Sequence, residues 1–134
     1  PATLMKLGFK LAIEELVEKI NDVGRVQVNL NLREPFGEMP ANLEITLYRI
    51  IQEILNNALK HSNAKSIDIG LKVQNNRLFL SISDDGVGFD TTQIEQAKGI
   101  GWKNIFSRIS MLGGDIDVNS QKNMGSNINI SLPI

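Results

Sequence analysis

The chain has 134 residues, with 14 basic against 15 acidic side chains, one His, one Trp and no Cys. At 42% hydrophobic and 22% charged residues, it has the composition of a single globular domain. Zero Cys excludes a disulfide framework, a thiolate zinc centre and a thiol nucleophile; a lone His excludes multi-histidine metal centres; and a formal charge of −1 gives no global pull toward nucleic acid or anionic lipid.

The apolar runs are only a few residues long, too short to span a bilayer. The chain opens at Pro1 without Met, signal peptide or basic leader, so it reads as a segment of something longer. Without thiols or an export signal, the default compartment is the cytoplasm.

Gly8 to Asp22 places Ile13, Leu16, Val17 and Ile20 at helical spacing, and Gly24 is a stop signal just beyond. Val26, Val28, Leu30 and Leu32 alternate with Gln27, Asn29 and Asn31, as a half-buried strand does. Pro35 to Pro40 reads as a loop, with Asn42 as cap of the next helix. That helix, about Leu43 to His61, carries an apolar stripe of Leu43, Leu47, Ile50, Ile51, Ile54, Leu55 and Ala58. Its other face bears Arg49, Glu53, Asn56, Asn57 and Lys60. Two strands follow, Ile67-Ile69-Leu71-Val73 and Leu78-Leu80-Ile82, joined by the hairpin dipeptide Asn75-Asn76. Asp84 to Asp90 then reads D-D-G-V-G-F-D, and Gly99 to Gly101 reads G-I-G. A helix from about Trp102 to Leu112 stops at Gly113-Gly114. Alternating strands around Ile116/Val118 and Ile128/Ile130/Leu132 end the chain.

Every strand alternates, setting Asn, Asp or Ser opposite its aliphatic residues. A parallel sheet covered on both faces would carry continuous apolar runs instead. The pattern predicts an α+β fold: a two-layer α/β sandwich, with a mixed, mostly antiparallel sheet of about five strands and three helices on one face.

Three places carry possible chemistry. Glu53 and Asn57 stand four residues apart on one helix face, with Lys60 a turn further on. Alone, such a stripe reads as a solvated face; it also suits a hydrated Mg²⁺ and a phosphate, because that ion takes oxygen ligands and keeps several waters. The D-D-G-V-G run follows a strand: Asp84 there can accept a hydrogen bond from an exocyclic amine such as adenine's, and Gly86 and Gly88 let the backbone approach a flat ligand. A lone D-x-G-x-G is otherwise an acidic turn. G-I-G before a helix exposes N–H groups where the helix dipole favours phosphate. His61 ends the second helix, where a cation suits the dipole, and reads as a capping or phosphate-neighbouring residue. Trp102 reads as packing.

Taken together and in order, these motifs resemble the ATP-binding domain of two-component sensor histidine kinases, in the superfamily shared with DNA gyrase, Hsp90 and MutL. R-I-I-Q-E-I-L-N-N-A-L-K-H-S-N-A is similar to the family's N box, S-D-D-G-V-G-F to its first glycine box, and K-G-I-G-W-K-N-I-F-S-R-I to its second. L-G-G-D-I-D-V-N-S through G-S-N-I-N-I-S-L-P resembles the terminal hairpin. The opening resembles the junction after the histidine-bearing helices in the short-lid branch of nitrate-sensor and membrane-thermosensor kinases. Residues 1–134 then form one domain of the Bergerat type, with 1–7 a junction from an upstream dimerisation domain.

The resemblance implies roles. Asp84 would hold the adenine amine, with Ser126 supporting it through a hydroxyl and water. Asn57 would ligate Mg²⁺, and Glu53, as the catalytic group, would orient or polarise the attacking group. Lys60 and His61 would face the phosphates of ATP. Gly86, Gly88, Gly99 and Gly101 would give close backbone approach, the last two closing a lid over the triphosphate. The γ-phosphoryl group would pass to a His on the dimerisation domain and on to a response regulator, so ATP, that acceptor domain and the regulator are the implied partners. The fragment would be monomeric, in a homodimeric parent. Trp102 stands where the family usually has Leu, and Ser126 where Thr is common. The acceptor His of the family lies upstream in a setting that His61 does not match, so this chain alone would bind ATP without completing autophosphorylation. The alternatives are an anti-sigma-type protein-serine kinase, an ATP-gated interaction module without catalysis, and a gyrase- or MutL-like ATPase.

Overall fold

The computed structural model describes residues 2–89 and 100–134. In chain order the elements are α1 (Ala2–Leu7), α2 (Phe9–Val23), β1 (Gln27–Arg33), α3 (Ala41–His61), β2 (Ser66–Gln74), β3 (Arg77–Asp84), α4 (Ile100–Met111), β4 (Asp115–Ser120) and β5 (Ser126–Pro133). The strands form one sheet in the order β1-β2-β3-β5-β4. Among the described residues, β1 and β2 alone pair in parallel, and the other three pairs are antiparallel. The expected mixed sheet and two-layer sandwich are therefore present. Helix α3 is the crossover that makes the parallel pair possible, because parallel neighbours need a long connection.

The strand alternation is used as the sequence predicts. Leu71, Leu80, Ile130 and Ile116 form one row across four strands, and Ile69, Ile82, Ile128 and Val118 form the next. These rows face α2, α3 and α4 and join Ile13, Leu47, Ile50, Ile51, Ile54, Leu55, Ile105 and Ile109 in one core. On the opposite face, Arg33, Lys72, Phe79, Ser131 and Asp115 share a row open to solvent. There the Lys72 ammonium lies 5.6 Å from the Phe79 ring centroid.

Several local expectations are corrected. A short α1 precedes Gly8 and packs on α2, making four helices among the described residues where three were expected. Thr3 donates its hydroxyl to Glu15 across that junction. Asn42 is not the cap of α3. Pro40 holds the N-cap position, its carbonyl accepting from the amides of Leu43 and Glu44 at 3.0 and 3.1 Å. Proline's fixed φ and missing N–H suit the start of a helix, and Asn42 falls inside the first turn, its own carbonyl taking the Thr46 hydroxyl at 2.9 Å. Helix α4 starts at Ile100, which draws Gly101 into its first turn. Asn75 and Asn76 have φ of 53° and 59°, as a two-residue hairpin turn requires.

The free edge of β1 is tied down by a side chain. Asn21, near the end of α2, donates its amide to the Val28 carbonyl at 3.0 Å and accepts the Val28 N–H at 2.7 Å. It thus imitates a neighbouring strand. Among the described residues, no helix is long and apolar enough to cross a membrane.

Candidate functional site

The third helix-facing row of the sheet departs from the aliphatic pattern. It runs Ile67, Asp84, Ser126, Ser120 across β2, β3, β5 and β4, so the apolar floor turns polar at one end. Ser126 donates its hydroxyl directly to Asp84 Oδ2. Asp84 Oδ1 accepts the Gly86 N–H at 2.8 Å. The carboxylate is thereby oriented from both sides, with lone pairs left for a further donor.

The two adjacent acids make different bonds. Asp85 Oδ1 accepts the backbone amides of Lys65 and Ser66 at 2.9 and 3.0 Å. Those bonds, the Ser66 amide first, hold its carboxyl below the usual carboxylate range and commit it to anchoring the connection between α3 and β2.

The loop after Asp84 lies against the end of α3. The Val87 amide donates to the Ser62 carbonyl at 2.7 Å, and a Cβ on Gly86 would stand 2.2 Å from that same oxygen. Gly88 has φ 66°, and its Cβ would stand 2.0 Å from the Gln121 carbonyl. Both positions require glycine: backbone occupies the space where a side chain would go.

Back along α3 from Ser62, by about 7 Å for Asn57 and about 14 Å for Glu53 at the helical rise, both residues are half-buried. They face α4. A Cβ on Gly101 would stand 3.0 Å from Glu53 Oε2 and 3.3 Å from Asn57 Oδ1. Glu53 and Asn57 are therefore not on a solvated helix face: α4 presents its barest residue to them. Asn57 Nδ2 is buried with no hydrogen-bond partner among the described residues, which is costly for an amide unless a ligand completes it. Among the described residues, no three His, Asp or Glu side chains converge as a metal cluster. A divalent ion here would draw on the Asn57 amide oxygen and on oxygens of its own ligand, which is how Mg²⁺ is commonly held. The Asn57 oxygen suits that role, and the unpartnered Nδ2 N–H would donate to a phosphate oxygen beside it.

Lys60 and His61 lie exposed in the last turn of α3, and neither is drawn into an ion pair among the described residues. Gly99 lies outside the described residues. On either side of that segment, the rings of Phe89 and Trp102 meet with centroids 5.9 Å apart. Trp102 also meets Phe106 at 5.9 Å, so its expected packing role holds.

Sequence reasoning missed Ser62, whose carbonyl receives the glycine loop, and Ser120, which accepts the Phe89 N–H at 2.8 Å and donates to the Gly125 carbonyl at 3.0 Å. One signal was present for Ser120. The alternation Ile116, Val118 puts residue 120 at the next helix-facing position, where a serine breaks the apolar pattern.

Residues 42–134 match the family described as histidine kinase-, DNA gyrase B-, and HSP90-like ATPase. Over 134 residues the chain is 26% identical to the oxygen sensor histidine kinase NreB of Staphylococcus carnosus (strain TM300), covering all of this chain and 39% of that protein. It is 29% identical to the sensor histidine kinase LiaS of Bacillus subtilis (strain 168), covering all of this chain and 36% of LiaS. It thus spans well under half the length of these relatives. Among solved structures, the fold matches the histidine kinase domain of the blue-light activated kinase from Erythrobacter litoralis EL346, with TM-score 0.79 and 19% identity over 93% of this chain and 60% of that one. It also matches the histidine kinase AdeS of Acinetobacter baumannii, with TM-score 0.77 and 21% identity over 93% and 64%.

Proposed function

The chain belongs to the histidine kinase-, DNA gyrase B-, and HSP90-like ATPase family, and from that premise we propose that it is the ATP-binding catalytic domain of a sensor histidine kinase. It binds Mg-ATP and gives the γ-phosphoryl group to a histidine on a dimerisation domain, for relay to a response regulator. The observation that carries this reading is the contact of Gly101 with Glu53 and Asn57. It joins two motifs far apart in sequence around an amide nitrogen that has no partner among the described residues.

In this mechanism Asp84 accepts the exocyclic N–H of adenine on a remaining lone pair, its two oxygens oriented by the Gly86 N–H and the Ser126 hydroxyl. Gly86 and Gly88 keep the loop bare, so the purine lies against backbone. The triphosphate extends along α3 toward Asn57, whose amide oxygen would hold Mg²⁺. When bound, that ion neutralises charge on the phosphate oxygens. Lys60 and His61, the cations in the last turn of α3, face the phosphates, and Gly101 lies over them. The Glu53 carboxylate accepts one N–H of the acceptor imidazole and so turns the other nitrogen's lone pair toward the γ-phosphorus. The new N–P bond forms as the bond to the ADP oxygen breaks. Positioning and charge neutralisation supply most of the rate. The naming of NreB and LiaS as sensor histidine kinases supports this assignment over the serine-kinase, interaction-module and gyrase-like readings.

The test supplies γ-labelled ATP, this chain and a separate acceptor domain of the same parent protein. The expected result is label on the acceptor histidine, lost with Glu53→Gln while nucleotide binding persists. Proven nucleotide binding without any labelled acceptor would count against the kinase reading.

A further inference from the structure

The hydroxyl of Ser120 lies between two backbone segments and bonds both. It accepts the Phe89 N–H at 2.8 Å and donates to the Gly125 carbonyl at 3.0 Å. The segments themselves are stacked too closely for side chains to enter. A Cβ on Gly88 would meet the Gln121 carbonyl at 2.0 Å, and one on Gly125 would meet the Asp84 carbonyl at 2.2 Å. Asn123 adds a backbone bond, donating its N–H to the Val87 carbonyl. Ser120 is thus a side chain that fixes both segments at once. Gly125 immediately precedes Ser126, whose hydroxyl holds Asp84, and Ser120 pairs directly with Ser126 across β4 and β5.

We propose that Ser120 is a positioning residue for the nucleotide: by holding Phe89 and Gly125 together it sets Ser126, and through Ser126 the direction in which the Asp84 carboxylate points. The proposal rests on the reading of Asp84 as the adenine acceptor. The effect belongs to the purine end of the ligand, because Ser120 lies in the row of Asp84 and not on α3. A simple structural role would lower stability without favouring either end. Loss of the hydroxyl leaves the strand pairing of β4 and β5 untouched, since that ladder is made by backbone groups.

The experiment measures calorimetric affinity for a non-hydrolysable ATP analogue with Mg²⁺, and for adenosine alone. It compares wild type, Ser120→Ala, Ser120→Thr, Ser126→Ala and the double alanine variant, with thermal unfolding of each. Ser120→Ala is expected to weaken both ligands by the same factor, about three- to tenfold, as for the loss of one modest hydrogen bond. Ser120→Thr, which keeps a hydroxyl, returns affinity to within about twofold of wild type, and in the Ser126→Ala background the Ser120→Ala change adds less than about twofold, as coupled sites do. Wild-type affinity in Ser120→Ala overturns the proposal and leaves the functional reading standing. So do losses that Thr does not rescue, or full additivity with Ser126→Ala. A wild-type chain that binds neither ligand removes the functional reading, and the proposal with it.

Discussion

Ser126 donates its hydroxyl to the Asp84 carboxylate across β5 and β3, two strands whose register sets these residues opposite each other. The carboxylate is fixed before any ligand arrives, so its acceptor direction is built into the sheet. Asp84→Asn exchanges one acceptor oxygen for a donor and is expected to weaken adenine-nucleotide binding by about 1.5–3 kcal/mol, the range for a hydrogen bond to a charged group. Calorimetric titration reads this directly, and unchanged affinity would remove Asp84 from the site.

Asn57 is expected to act through the metal. Asn57→Ala removes the amide oxygen that would hold the ion, together with an Nδ2 that has no partner among the described residues, and should weaken nucleotide binding more in Mg²⁺ than in chelator. Equal losses in both conditions would contradict the assignment.

Gly88→Ala tests the backbone stack. Its φ of 66° and the 2.0 Å approach to the Gln121 carbonyl leave no room for a methyl group. The expected cost is at least about 2 kcal/mol in denaturant unfolding, in the class of strained backbone substitutions. A variant as stable as wild type would mean that the loop and the β4–β5 turn are not stacked in solution.

Asn21→Ala separates stability from binding. It leaves the Val28 N–H and carbonyl without the amide that serves both, for an expected loss of about 1–3 kcal/mol. Nucleotide affinity, measured well below the unfolding transition, should stay at the wild-type value.

Acid stability should report on Asp85. Its folded-state pKa is depressed by the Ser66 and Lys65 amides. Its contribution to stability is therefore present above the unfolded carboxylate value, near pH 4, and is lost as the pH falls through the folded value. The gap in unfolding midpoint between wild type and Asp85→Asn is expected to be widest near neutrality and to narrow below about pH 4. A gap that did not change with pH would assign the effect to shape alone.

Much of the fold was legible because side-chain periodicity carried it. The alternation in Ile67 to Ile82 and Ile128 to Leu132 fixed which face of each strand is buried, and the Leu43 to Ala58 stripe located the central helix. Boundaries were less legible. Asn42 has the chemistry of a cap, yet the proline two residues earlier starts the helix at lower conformational cost. The site was half legible. Glu53, Asn57 and Asp84 announce themselves as polar groups at telling spacings. The contacts of Ser62, Gln121 and Gly125 are made by backbone atoms, which every residue possesses, so no residue type marks them. Ser120 was visible only as a serine where the strand pattern called for an aliphatic side chain.

The aromatic contact between Phe89 and Trp102 has an optical consequence. The chain contains a single Trp, so its emission comes from one indole in a defined setting. That indole bridges the end of one glycine box and the helix that opens in the other, with a second ring, Phe106, behind it. Any event that changes the spacing of those two boxes alters the quenching and polarity around this one fluorophore, and the unlabelled protein carries its own gauge.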